Sequence, residues 1–278
     1  MPEGLNKTTE NEDLGTPIEK ELSLDERVKK LEVENKELKD KLENREKLFR
    51  IISHDLKGPV SNTAIFIKLL SEYIKDGSIS NEELINNLDT ILQNSENTSK
   101  LLEDLLTWSK LQQDEIKPEI LVMNLTNQVE NSIALLLQKA KEKNINFENK
   151  VSGNIEILAD RVMLETVIRN LSSNAIKFTN SGGNISISYE KKNNLVEIYI
   201  KDDGIGLKDE QKKNLFESIG VSTNGTGKET GTGLGISICK EMVEKMGGNI
   251  KVESEGEGKG TTFIVTLPTE EGGKEKVA

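Results

Sequence analysis

Residues Leu24–Pro59 read LDERVKKLEVENKELKDKLENREKLFRIISHDLKGP, and the spacing of apolar residues in this stretch decides the first half of the fold. Leu24, Leu31 and Leu38 occupy the d sites of a heptad, and Val28, Asn35, Leu42 and Phe49 the a sites. Val at a with Leu at d favours two parallel strands, and a polar Asn35 at a fixes register at a cost in stability. In a parallel dimer each g residue faces the e residue five positions on in the partner helix. The pairs are then Arg27 with Glu32, Glu34 with Lys39 and Lys41 with Glu46, all opposite in sign. A single solvated helix is the plainer alternative, but it requires neither the matched pairs nor Asn35. The same frame continues through Ile52 and Leu56 and leaves His54 at f, the outermost position, facing water or a second domain.

Working outward, Pro59 lacks an amide hydrogen for the carbonyl of Asp55 and crowds it, so a bend is expected at Gly58-Pro59. The apolar stripe resumes through Val60, Ala64, Ile67, Leu70 and Ile74. A turn at Asp76-Gly77-Ser78 follows, and Ser80 is the expected cap of a second helix with Glu82 and Glu83 in its first turn. The hairpin cannot cover its own apolar face, and pairing two copies into a four-helix bundle solves this. Pro118 marks a linker, after which the texture changes. Helices are expected over Leu125–Lys143, Arg161–Phe178, Asp209–Phe216 and Leu234–Met246. Strands are expected over Ile145–Val151, Ile155–Ala159, Ile185–Lys191, Val196–Lys201, Ile250–Ser254 and Thr261–Leu267, an α+β layer sandwich.

Composition excludes several classes. At 278 residues the chain has room for about two domains. Acids outnumber bases 48 to 37, a net charge of −11, which removes the electrostatic footprint of a nucleic-acid binder. One cysteine, Cys239, and one histidine, His54, rule out an intrachain disulfide and a multi-cysteine or His-rich metal site. No apolar run approaches the roughly 20 residues of a membrane span. The expected location is cytoplasmic, with the chain either a short unit controlled by partners or the excised cytoplasmic part of a longer or membrane-anchored protein.

Four short segments carry chemistry. In Ser53–Pro59, a neutral imidazole on a helix is a competent nucleophile and the adjacent Asp55 can orient it or take its proton; alone, it reads equally as an inert surface histidine. Asn170, Asn174 and Lys177 recur on one helix face; amide oxygens suit Mg²⁺ and a lysine suits phosphate. In Asp202-Asp203-Gly204-Ile205-Gly206, at a strand end, two glycines permit close backbone approach to a ligand and Asp202 can accept from an exocyclic amine. Gly231-Thr232-Gly233-Leu234-Gly235 opens a helix, where backbone N–H groups bind phosphate. Neither a preceding strand nor a Walker ending accompanies it.

These four motifs, each present once and in this order, resemble the sensor histidine kinases of two-component systems. Ser53–Pro59 looks like their H box, Asn170–Thr179 their N box, Asp202–Gly206 and Gly231–Gly235 their G boxes, and Leu215-Phe216 a shortened F box. The resemblance covers about Leu24 to Pro268. It implies a multidomain α and α+β fold: a parallel coiled coil (24–52) leads into a helical hairpin forming a dimeric four-helix bundle for dimerisation and histidine phosphotransfer (48–113). An α/β sandwich of Bergerat (GHKL) ATPase type follows over 118–268, with flexible tails at 1–23 and 269–278. It further implies ATP and Mg²⁺ as cofactors, His54 as phosphoacceptor, Asp55 as general base and Asn174 as Mg²⁺ ligand. Asn170 and Lys177 would lie near the phosphates, Asp202 would read the adenine amine with Thr262 assisting, and Gly204, Gly206, Gly231, Thr232, Gly233, Leu234 and Gly235 would frame ATP and its lid over Gly220–Thr230. The implied partners are a second copy and the receiver domain of a response regulator.

Two departures from the family pattern stand out. Gly58 occupies the position four after the histidine, where many relatives carry Thr or Asn to orient water for dephosphorylating the partner. Asn170 replaces the glutamate base that hydrolytic relatives of this ATP fold use, which favours transfer over hydrolysis. A non-catalytic dimeric adaptor leaves the intact motifs unexplained. A Bergerat-fold ATPase or anti-sigma-type serine kinase leaves the coil, the hairpin and His54 without a role.

Overall fold

The computed structural model describes residues 23–33, 35, 36, 39, 56–216, 225, 226 and 233–270. The expectations for His54, Asp55, Gly231, Thr232 and most of both tails lie outside these residues, as does the Asp55 side of the bend expected at Gly58-Pro59, while Gly58 and Pro59 themselves lie in the first turn of a helix that begins at Lys57. The chain divides into two units, residues 1–47 and 48–278. In the first unit, residues 24–33 form helix α1, with Leu24, Val28 and Leu31 exposed.

The second unit opens with α2 (Lys57–Asp76) and α3 (Asn81–Gln112), an antiparallel pair. Ser80 caps α3 as expected: its Oγ accepts from the Glu83 amide at 3.2 Å while its own amide donates to Glu83 Oε2 at 3.0 Å, a reciprocal capping box. The upper part of the hairpin leaves Val60, Ile67, Ile74, Leu88 and Leu92 exposed. The lower part of α3 differs, because Leu101, Trp108 and Leu111 are buried in the core of the following α/β region.

That region contains β1 (Leu121–Asn124), α4 (Leu125–Glu142), β2 (Asn146–Asn149), β3 (Glu156–Ala159), α5 (Arg161–Phe178), β4 (Asn184–Lys192), β5 (Leu195–Asp202), α6 (Asp209–Asn214), α7 (Gly235–Lys245), β6 (Asn249–Glu253) and β7 (Thr261–Pro268). The main sheet has the order β2-β4-β5-β7-β6, with only the β2–β4 pair parallel. Alternation gives the sheet one apolar face. Ile185 and Ile187 of β4, Val196, Ile198 and Ile200 of β5, and Phe263, Val265 and Leu267 of β7 are buried with Leu164, Val167, Ile168 and Leu171 of α5.

Three features depart from expectation. β1 is not among the expected strands; it pairs antiparallel with β3, Leu121 opposite Ala159, in a separate two-stranded ribbon. Thr269, expected to begin a flexible tail, is 3% exposed and donates its amide to the Asn194 carbonyl at 2.9 Å. The linker near Pro118 is tied at both ends, by an Asp114–Lys245 ion pair and by the Glu119 amide donating to Asp160 Oδ2 at 2.8 Å.

Asp160 serves two elements at once, since its Oδ1 also accepts from the Met163 amide at 3.0 Å and caps α5. Asp160→Ala is expected to lower stability by about 1–2 kcal/mol, read from thermal or denaturant unfolding; an unchanged midpoint contradicts the dual role.

Candidate functional site

The apolar stripe of β5 runs Val196, Ile198, Ile200 and then Asp202, which the alternation carries onto the same face at the sheet's end. There the core gives way to a cleft of about 940 Å³ between α5, the turn after β5, and the start of α7. Asp202 is 5% exposed at its edge. The amides of Gly204 (2.9 Å) and Thr261 (3.2 Å) both donate to its Oδ1, which leaves Oδ2 as the oxygen able to receive a donor from the cleft. Burial pushes the Asp202 carboxyl up to about 6; the two amides oppose this in part, and the Asp203 charge adds to it.

The glycines of this turn answer to the protein's own backbone. A Cβ at Gly204 would stand 2.3 Å from the Phe178 carbonyl oxygen. Gly206 has a φ of 67°, and a Cβ there would meet the Gly256 carbonyl oxygen at 2.0 Å. Close packing of the turn onto α5 and the β6–β7 connection requires glycine at both positions, which also line the cleft.

Helix α5 forms the opposing wall. Asn170, Ser173, Asn174 and Lys177 are half-buried along its edge and line the cleft, while Leu164, Val167, Ile168 and Leu171 fill the core. The C-terminal carbonyls of α5 are held from two sides. Lys143 Nζ donates to the carbonyls of Ile176 (2.8 Å) and Lys177 (3.0 Å), complementing the negative helix end. Thr226 donates its amide to the Lys177 carbonyl at 3.0 Å and its hydroxyl to the Thr179 carbonyl at 2.8 Å. Gly233 and Gly235 complete the rim.

The structure therefore brings together Asn170, Asn174, Lys177, Asp202, Gly204, Gly206, Gly233 and Gly235. Two expected residues are not among them. Leu234 is fully buried in the core, and its carbonyl starts α7 by accepting from the Ile238 amide at 3.0 Å. Thr262 pairs with Lys201 and sits on the other side of β7 from Phe263, whereas Thr261, opposite Asp202, reaches the cleft. Sequence reading did not find Lys100, Asp104, Leu207, Thr261 or Phe263. A count of strand alternation from Asp202 gives Thr261; nothing local marks Lys100 or Asp104 on α3 as cleft residues.

The residue set fits a nucleotide with a metal held chiefly by its phosphates. Amide oxygens are hard donors, and no cluster of three His, Cys, Asp or Glu able to hold a metal occurs among the described residues.

Between about pH 4 and 6, unfolded Asp202 has lost a proton that the folded chain retains, so stability falls as pH rises through that window. Asp202→Asn keeps an acceptor for both amides and removes this slope. Its stability relative to the parent is expected to rise by about 1–2 kcal/mol from pH 4 to pH 7. Parallel pH profiles of the two chains in thermal unfolding would contradict this.

A family model described as the His Kinase A (phospho-acceptor) domain matches residues 44–114. A second, described as the histidine kinase-, DNA gyrase B-, and HSP90-like ATPase, matches residues 159–271, and the two together account for more than half of the chain. Among similar proteins, the autoinducer 2 sensor kinase/phosphatase LuxQ of Vibrio parahaemolyticus is 31% identical over 79% of this chain, which spans 26% of that protein. The adaptive-response sensory kinase SasA of a Synechococcus strain is 29% identical over 93% of this chain and 66% of its own. The fold is that of the Acinetobacter baumannii histidine kinase AdeS (TM-score 0.62, 21% identity, 78% of this chain and 98% of that one). It is also that of the histidine kinase ThkA in its complex with the response regulator TrrA (TM-score 0.68, 22% identity, 85% and 66%). Matched in both halves by the domain models of a phosphoacceptor hairpin and its ATPase, the chain belongs to the sensor histidine kinases of two-component systems.

Proposed function

We propose that this chain is a transmitter unit that autophosphorylates His54 from ATP and passes the phosphoryl group to an aspartate of a response-regulator receiver domain. The observation that carries the reading is the convergence of Asn170, Asn174, Lys177 and Asp202 on one cleft of an ATPase-type domain. In the proposed reaction an imidazole nitrogen of His54 attacks the γ-phosphorus, the bond to the β-phosphate oxygen breaks, and ADP leaves. Asp55 takes the ring proton, and Asp202 Oδ2 accepts the purine amine, which orients the phosphates toward Asn170, Asn174 and Lys177. Mg²⁺, with Asn174 as its protein ligand, supplies charge neutralisation at the phosphates. Positioning and electrostatics account for most of such catalysis.

We infer a homodimer from the apolar residues that both hairpin helices leave exposed, among them Ile67, Ile74, Leu88 and Leu92, and from the heptad in residues 24–52. A receiver domain is the fitting partner because ThkA, of the same fold, was crystallised with a response regulator. Among the described residues no helix is long and apolar enough to cross a membrane, consistent with work in the cytoplasm.

With labelled ATP and Mg²⁺, the chain is expected to acquire an acid-labile, base-stable label that His54→Ala abolishes. Mixing His54→Ala with Asn174→Ala restores label if transfer runs between subunits; full labelling of His54→Ala alone would overturn the kinase reading. Gly58 carries no side chain to orient water, so a phosphorylated receiver is expected to decay within about twofold of its own rate when chain and ADP are added. A large acceleration by the parent chain would contradict that reading.

A further inference from the structure

The hairpin lends charge to the cleft. Lys100 and Asp104 of α3 line it, although every other lining residue belongs to the ATP-binding domain. The Asn170 side chain and the charges of Asp104 and Lys100 act on the buried Cys239 thiol of α7, and a Cβ at Gly235 would lie 3.9 Å from the Asn170 carboxamide carbon. Lys100 and Asp104 line the cleft together with Asn170, Asn174 and Gly235, and the reading above puts the phosphates at Asn170 and Asn174.

Charge balance makes Lys100 matter. Five acidic side chains line the cleft against three lysines, Lys100, Lys177 and Lys208. Lys208 is paired with Glu257 at 3.2 Å, and Lys177 stands 4.7 Å from the Phe178 ring centroid. Among the described residues no ion pair engages Lys100. Lys100 is 19 residues after Asn81, the start of α3, and Lys57 is 19 residues before Asp76, the end of α2. Equal helical rise sets Lys100 level with Lys57 across the antiparallel pair. The contact of α3 with α7 that holds this arrangement includes Gln112 Nε2 donating to Glu241 Oε1 at 2.9 Å and the Asp114–Lys245 ion pair.

We propose that Lys100 contacts the terminal phosphate of the bound nucleotide, so that the phosphoacceptor hairpin itself contributes to the ATP site. The proposal rests on nucleotide binding in this cleft as read above. A cation at that phosphate favours the triphosphate over the diphosphate and stabilises charge on the phosphoryl oxygens during transfer. It also ties ATP recognition to docking of the domain on α3.

The test uses the full chain with Mg²⁺. A non-hydrolysable ATP analogue and ADP are titrated separately, by calorimetry, into the parent, Lys100→Met, Lys100→Glu and Lys100→Arg. Lys100→Met is expected to weaken the ATP analogue about fivefold and ADP less than about twofold, with Lys100→Glu weaker still and Lys100→Arg close to the parent. Single-turnover labelling should follow the same order. Equal weakening of both nucleotides, or of neither, overturns the contact. A parent that binds nucleotide but never labels His54 overturns the kinase reading alone, because the titrations still decide Lys100; a parent that binds neither nucleotide overturns both.

Discussion

Strand β5 presents Val196, Ile198, Ile200 and Asp202 to one buried face, and the geometry of the cleft follows from the last of these being a carboxylate. An ion at the end of an apolar stripe is costly unless hydrogen bonds meet it. Here the amides of Gly204 and Thr261 converge on one carboxylate oxygen, so the turn after β5 and the start of β7 must both close tightly around Asp202. That closeness is why a Cβ at Gly204 would strike the Phe178 carbonyl and one at Gly260 would stand 2.1 Å from the Asp202 carbonyl. Part of the cost remains, as the raised carboxyl shows. The remaining oxygen faces the cleft without either of these amides, and it is the one to which the proposed function assigns a purine amine.

The same crowding fixes the other wall. The Ile205 amide donates to the Phe178 carbonyl at 3.1 Å, which joins the Asp202 turn to the last residue of α5. Lys143 and Thr226 occupy the neighbouring carbonyls. The end of α5 is therefore bound to the Asp202 turn, to the end of α4 and to Thr226, with few carbonyls left to fray. Asn170, Asn174 and Lys177 project from a helix whose C-terminal end is pinned in this way, so the distance between the Asp202 carboxylate and the Asn170 and Asn174 amides is set by backbone hydrogen bonds. Pre-organisation of that kind is what positioning catalysis requires.

Where the signal is local, the sequence was sufficient. Arg161–Phe178 is a helix as its periodicity demands, and Ser80 with Glu83 makes the cap its spacing announces. The errors are tertiary. Leu121–Asn124 has no pattern of its own and becomes a strand because Glu156–Ala159 offers it a partner. Leu234 sits inside a glycine motif yet is taken by the core, since an apolar side chain at a helix start gains more from burial than from facing a polar ligand. Thr262 and Thr261 differ by one step of strand alternation, which reverses the face, and only the pairing of Thr261 with Asp202 decides which one meets the cleft. Lys100 and Asp104 carry no motif; long-range packing of α3 on α7 alone brings them to the site.

The acid excess of the chain, −11, bears on that packing. At physiological ionic strength charges are screened beyond roughly 8 Å, so the distant carboxylates scarcely reach a bound triphosphate, whereas the five that line the cleft do. A triphosphate there must be met by cations at short range. Lys177 comes from the ATP-binding domain and Lys100 from the hairpin, which also brings Asp104, so docking leaves the net charge of the cleft unchanged and its gain lies in the proposed contact of Lys100 with the terminal phosphate. Binding energy that exists only in contact acts as a coupling between docking and nucleotide, and linkage makes it reciprocal. ATP would draw the domain onto the hairpin by the same factor that docking tightens ATP, and loss of the terminal phosphate after transfer would weaken the hold. A lysine placed there thus supports approach before the reaction and separation after it.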